Sequence, residues 1–237
     1  MKLPSETATS TAASSSVSSS SAGGDGGGLP DATGGGGAAG TDAGVDADAR
    51  DAGDAGEEAD APIECGTVVE GFPLEPSPHV PVCIPIAYST NPPTSGPHYP
   101  IWAAFKTYDA AVPRGFYVHD LEHGAIVITY NCTPSCDAEL AQLAAFLDTL
   151  PADPLCVAPL KSRIVVTPDP HLDVRFAASA WGFSLRSQCF DLQPLGAFIT
   201  DHYAMATENS CYDGVDVTSP DAGVPPGCGE PVDAGTD

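Results

Sequence analysis

The first sixty residues of this chain offer almost nothing to bury. They run through Ser, Thr, Ala, Gly and Asp ("SSSVSSSSAGGDGGG", "TGGGGAAG", "DAGVDADARDAGDAGEEAD"), with no aromatic residue and almost no large aliphatic one. Ordering such a segment costs about 1–2 kcal/mol of backbone entropy per residue, and no apolar burial repays it. From Gly214 onward the sequence reads the same way ("SPDAGVPPGCGEPVDAGTD"). The expected layout is a disordered leader over 1–61, one domain over 62–213 and a disordered acidic tail over 214–237. A domain of about 150 residues is long enough to build a hydrophobic core.

Charge narrows the partners. The formal net charge is −24, and residues 61–213 alone hold sixteen acids against six bases. A domain that is acidic in its own right is a poor match for nucleic acid or an anionic membrane surface. Eight cysteines, widely spread and without paired C-x-x-C motifs, read as disulfides rather than a zinc cluster. Disulfides imply an oxidising, extracytoplasmic compartment. "MKLPSETATSTAASSSV" carries no apolar run of the signal-peptide type, so export, or a membrane tether reached through the Ser/Gly/Asp-Ala leader, requires a signal upstream of this sequence.

Within the domain, "CGTVVEGF" from Cys65 reads as a first strand. Pro92, Pro93 and Pro97 in "NPPTSGPHYP" forbid a regular helix or a central strand. "YPIWAAFKTYDAAV" fits either a short helix or an irregular apolar segment. Ala125–Tyr130 ("AIVITY") is apolar on both faces and reads as a central strand. "CTPSCDAELAQLAAFLDTL" has leucines at 140, 143, 147 and 150, the spacing of a helix with one buried face. Arg163–Thr167 and "DVRFAASAWGF" give two further strands, and "LQPLGAFITDHYAMA" a last helix. The fold class expected is α+β: a single compact domain with a small mixed sheet, two or more helices and a Pro-rich irregular N-terminal half.

The histidines carry the chemistry. His119-Asp-Leu-Glu122-His123 spells the H-x-x-E-H pattern of inverted zinc proteases. Gly115 before it, and Gly124 and an apolar run after it, leave room for little more than two helical turns, so the protease reading is disfavoured. A metal site needs less. One helical turn over 119–123 brings both rings to one side with their roots about 6 Å apart. An extended strand would separate them by about 13 Å, too far for one ion. His98, held by Gly96 and Pro97, and His79 are the natural donors from elsewhere. His98, His119, His123, His79 and Glu122 are therefore the candidate ligands, a set that suits Zn²⁺ or Cu²⁺. Glu122 is also the candidate general base for any catalysis.

"NPPTSGPHYP" together with "VHDLEHGAIVITY" resembles the bacterial family known as domain of unknown function 3105. The resemblance runs from about His79 to the last helix. It implies that His79, His98, His119 and His123 sit in motifs distinctive of that family, whose members tend to look exported or membrane-tethered. It implies no activity.

Cys132-Thr-Pro-Ser-Cys136 stands between a strand and a helix, where a helix N-terminus favours a reactive thiol. Three intervening residues instead of two favour a structural cross-link. Three functions are compatible with the whole. The first is an extracytoplasmic domain binding one transition metal through the histidine cluster. The second is a metal-dependent hydrolase or oxidoreductase using metal-bound water near Glu122. The third is a disulfide-stabilised interaction domain without metal.

Overall fold

The computed structural model describes residues 65–230. The leader expected over 1–61 and the last seven residues of the expected tail lie outside the described residues. The sheet contains β1 (Val68–Gly71), β2 (Ile126–Tyr130), β3 (Ile164–Pro168), β4 (Phe176–Ala180) and β5 (Phe183–Ser187), in the order β1-β5-β4-β2-β3. β2 and β3 are parallel, and the other neighbouring pairs are antiparallel. Three helices, α1 (Arg114–Glu122), α2 (Asp137–Thr149) and α3 (Leu192–His202), complete the single α+β domain among the described residues.

Strand alternation sorts the core into two halves. Ile126, Ile128, Ile164 and Val166 pack with Leu143 of α2 and Phe198 of α3. Val127 and Val165 point the other way, onto Phe116, Tyr117 and Leu121 of α1. The sheet is thus covered on both faces, and β2 is the interior strand that its apolar run predicts.

Four local expectations change. The run "DVRFAASAWGF" does not end in one strand: Gly182, at φ +80°, turns the chain back so that β5 pairs with β4, Ala180 opposite Phe183. Residues 114–122 form a nine-residue helix rather than a single turn. Everything from Gly115 to Leu121 is buried, so no polar face betrays the helix in the sequence. Residues 99–112 take the irregular alternative, with isolated bridges at Ala103 and Thr107. The fourth change is the domain boundary at 213. Val215 exchanges backbone hydrogen bonds with Trp102 (2.9 Å) and Ala104 (2.8 Å), Val217 is buried, and Cys228 is bridged to Cys83. Two buried side chains and a covalent bond hold a segment whose Gly/Pro composition looks unpacked.

All eight cysteines are paired. Cys65–Cys189, Cys83–Cys228 and Cys156–Cys211 close sequence separations of 124, 145 and 55 residues. Cross-links of that span remove about 4–5 kcal/mol each of unfolded-chain entropy, on the chain-entropy account. Cys132–Cys136 spans only four.

Candidate metal centre

Two extended segments and one helix end meet at the site. His79 and His98 lie side by side in a parallel bridge, with Val80 N–H donating to the His98 carbonyl (2.8 Å) and His98 N–H to that of Pro78 (3.2 Å). The prolines around them deny this stretch a place in the sheet but fix its path. His119 and Glu122, three residues apart, share one face of the last turn of α1. That turn ends in a Schellman motif: Gly124 N–H donates to Leu121 O (2.9 Å) and Ala125 N–H to Asp120 O (3.0 Å), with Gly124 at φ +85°.

The three imidazoles form a nearly equilateral triangle. Ring centroids are 5.0 Å apart for His79–His98, 4.9 Å for His79–His119 and 4.7 Å for His98–His119. His98 Nδ1 donates to the Gly96 carbonyl (3.0 Å) and His119 Nδ1 to the Tyr99 carbonyl (2.7 Å). A carbonyl only accepts, so Nδ1 carries a proton in both rings, and the neutral tautomer this selects leaves a lone pair on Nε2. Glu122 Oε1 accepts from the Ser77 hydroxyl (2.8 Å), which leaves Oε2 facing His98 Nε2 at 3.1 Å. One ligand atom from each of His79, His98, His119 and Glu122 lies within 4.8 Å of the others, and this group can coordinate a metal ion. His79 is exposed, His98 and His119 are buried, and the Glu122 side chain keeps 13 % exposure.

Burial keeps His119 receptive to a cation other than a proton. Desolvation, partly offset by the Tyr99 carbonyl and reinforced by the neighbouring histidines, pushes the His119 pKa down to about 4. Its Nε2 lone pair is therefore available across the physiological range.

His123, ranked among the first ligands from the sequence, stands outside the group. Its ring stacks on His119 with centroids 4.8 Å apart and planes at 20°. Stacked rings point their edge nitrogens alongside one another rather than toward one ion. His123 Nδ1 instead pairs with the Ser210 hydroxyl, Nε2 lies 3.9 Å from Glu208 Oε2, and Trp102 covers its flank at 4.8 Å. Burial lowers its pKa as well. Asp120, between His119 and Glu122, is fully buried and accepts from the Ala103 amide (3.2 Å); desolvation raises its pKa well above the usual carboxylate value. His202 packs between Phe183 and Phe198, and His171 pairs with Glu230 at the surface. Neither joins the site.

Of the supports, the sequence pointed to Gly96, whose φ of +109° lets the chain turn its carbonyl back onto the ring of His98; Ser77 and the Tyr99 carbonyl carried no such signal.

Neither a curated protein nor a solved structure matches the chain. A family model described as "Protein of unknown function (DUF3105)" matches residues 79–213. The match begins at His79 itself and includes His98, His119 and Glu122, so the whole cluster lies inside it, and over that span the chain belongs to the DUF3105 family.

Proposed function

We propose that this domain is a metal-binding module that holds one transition-metal ion on Nε2 of His98 and His119, a ring nitrogen of His79 and Oε2 of Glu122. One observation carries the reading. His98 is completely buried, its Nδ1 is committed to Gly96, and its Nε2 has no hydrogen-bond partner although a carboxylate oxygen lies 3.1 Å away. A lone pair buried on His98 faces a carboxylate oxygen that is largely shielded from water, and two such electron-rich atoms repel unless a cation joins them. A proton on His98 would satisfy that one pair and leave His79 and His119 converging with no purpose.

Three imidazoles and a carboxylate are the donors of Zn²⁺ or Cu²⁺ sites, and Ser77 and the two carbonyls are the outer partners that fix such ligands. Four protein donors complete a tetrahedral shell, which favours holding an ion over activating water at Glu122. The pairing of all eight cysteines supports an oxidising, extracytoplasmic setting.

The deciding experiment is elemental analysis of protein purified without a metal-affinity tag, alongside His98→Ala and His119→Ala. One equivalent of metal in the parent and none in either variant, with near-UV circular dichroism unchanged, is expected. A metal-free parent that takes up no Zn²⁺ or Cu²⁺ in equilibrium dialysis would end the proposal.

A further inference from the structure

The Cys132–Cys136 pair sits apart from the other cross-links in both span and position. It closes a separation of four residues, so it constrains the unfolded chain far less than the three long-range bridges do. It lies where β2 gives way to α2, and α2 leads into β3, the one parallel neighbour of β2. In α/β sheets, ligands bind outside the carboxyl ends of parallel strands. A cleft of about 290 Å³ opens there, lined by Tyr130 and Pro168 at the two strand ends, by Cys132 and Cys136, and by Leu140 and Pro170.

The two sulfurs are not equivalent. Cys132 is partly exposed, whereas Cys136 is buried and forms the N-cap of the 13-residue α2, with its carbonyl accepting from Leu140 N–H. The positive end of a helix stabilises a thiolate. Asp137 and Glu139 in the first turn oppose that, but Glu139 is paired with Arg175 (2.7 Å), whose guanidinium also donates to the Ser135 carbonyl inside the cysteine loop (3.1 Å). A cysteine pair at the strand–helix junction of a β–α–β unit is the position used by thioredoxin-like thiol–disulfide enzymes. The spacing here is three residues rather than two.

We propose that Cys132–Cys136 is a redox-active disulfide that exchanges with cysteines of a polypeptide laid in the adjacent cleft. A thiolate of the incoming peptide attacks the accessible Cys132 Sγ. The peptide–Cys132 bond forms, the Cys132–Cys136 bond breaks, and Cys136 leaves as a thiolate at the N-terminus of α2. A second peptide thiolate then attacks its own sulfur in the mixed disulfide, closing the peptide disulfide and releasing Cys132. Two electrons pass from the peptide dithiol to the pair, and the two thiol protons end on Cys132 and Cys136.

The test mixes the full oxidised chain with a short synthetic peptide carrying two reduced cysteines, or with glutathione at the same thiol concentration. Samples are quenched by acid and alkylation and mapped by mass spectrometry. Thiols are expected on Cys132 and Cys136 alone, matched by peptide disulfide, at a rate about tenfold or more above that with glutathione because the cleft holds the peptide in place. Pro170→Asp, at an exposed position of the cleft wall, should narrow that advantage and leave the glutathione rate unchanged. Retention of the other three disulfides in the same map reports an intact fold. Equal rates with peptide and glutathione would mark an exposed cross-link only, and a pair that stays closed while the peptide oxidises in air would equally overturn the proposal.

Discussion

His98 Nε2 and Glu122 Oε2 stand 3.1 Å apart without a hydrogen bond between them, one on a Pro-bounded extended segment and the other on the last turn of α1. Nothing in the backbone obliges these two atoms to meet. The Gly96 carbonyl turns one toward the contact and the Ser77 hydroxyl steadies the other. An arrangement that is unfavourable alone and favourable around a cation makes the folded state, rather than the unfolded chain, the form that the proposed metal would bind.

Metal binding should therefore raise stability by mass action. An ion at a hundred times its dissociation constant adds about 2.7 kcal/mol. For a domain of this size each kcal/mol shifts Tm by roughly 2–4 °C, so the expected rise is about 5–10 °C. Differential scanning calorimetry with Zn²⁺, and again after EDTA, reads it. His98→Ala and His119→Ala should each show no shift beyond that of buffer.

The outer support of Glu122 has its own signature. Ser77→Ala removes the 2.8 Å hydrogen bond to Oε1 and frees the carboxylate to rotate, without removing a ligand. Affinity should fall about tenfold, at the lower end of what outer-partner substitutions cost. Chelator competition measures it. An unchanged affinity would mean that Glu122 is oriented by the ion rather than for it.

The sequence made the ligands more legible than the frame that carries them. His98 was readable because prolines and Gly96 pin it, and His119 with Glu122 because they are three apart just before an apolar strand. His123 stands outside the grouped ligand atoms: the spacing of four does place its ring over that of His119, and there its Nδ1 pairs with the Ser210 hydroxyl. α1 itself was hidden because Gly115–Leu121 is buried all round and shows no amphipathic period. In β5, Phe183 and Leu185 are the two apolar side chains and Phe183 is exposed, so the strand is defined by its pairing with β4 more than by its own pattern. Cys228 looked like part of a loose tail because no local pattern announces a partner 145 residues away.

The helix end that positions Glu122 depends on one glycine. At Gly124, φ is +85°, and a Cβ there would come within 3.0 Å of Ala204 Cα and 3.1 Å of Arg163 Nη1. Gly124→Ala should cost about 2 kcal/mol or more, from left-handed strain of about 1–2 kcal/mol plus the contact with backbone. Gly223, at φ +68° with nothing within 4 Å of a built Cβ, is the control. Gly223→Ala should carry only the strain, about 1 kcal/mol. Urea denaturation separates the two, and only Gly124→Ala should also weaken metal binding.

A buried ion pair ties that same helix end to the sheet, and it predicts acid sensitivity. Arg163, at 1 % side-chain exposure, bonds Asp153 through Nη2 (2.7 Å) and Nε (2.9 Å), and its Nη1 donates to the His123 carbonyl (2.9 Å) and to Asn209 Oδ1 (2.6 Å). Burial by itself would raise the Asp153 pKa, but the Leu155 amide, the Tyr203 hydroxyl and the guanidinium outweigh it and hold the pKa below the usual carboxylate value. A depressed folded pKa contributes stability that is fully present above the unfolded value of about 3.9, and that is lost as pH falls through the lower folded one. Asp153→Asn leaves Arg163 charged and short of its partner, which typically costs about 3–5 kcal/mol. The difference between parent and variant should be constant from neutral pH down to about 4.5 and shrink below about 4 as Asp153 is protonated in the parent. Guanidinium titrations across that range test it, and a difference that stays constant down to pH about 2 would remove Asp153 from the account.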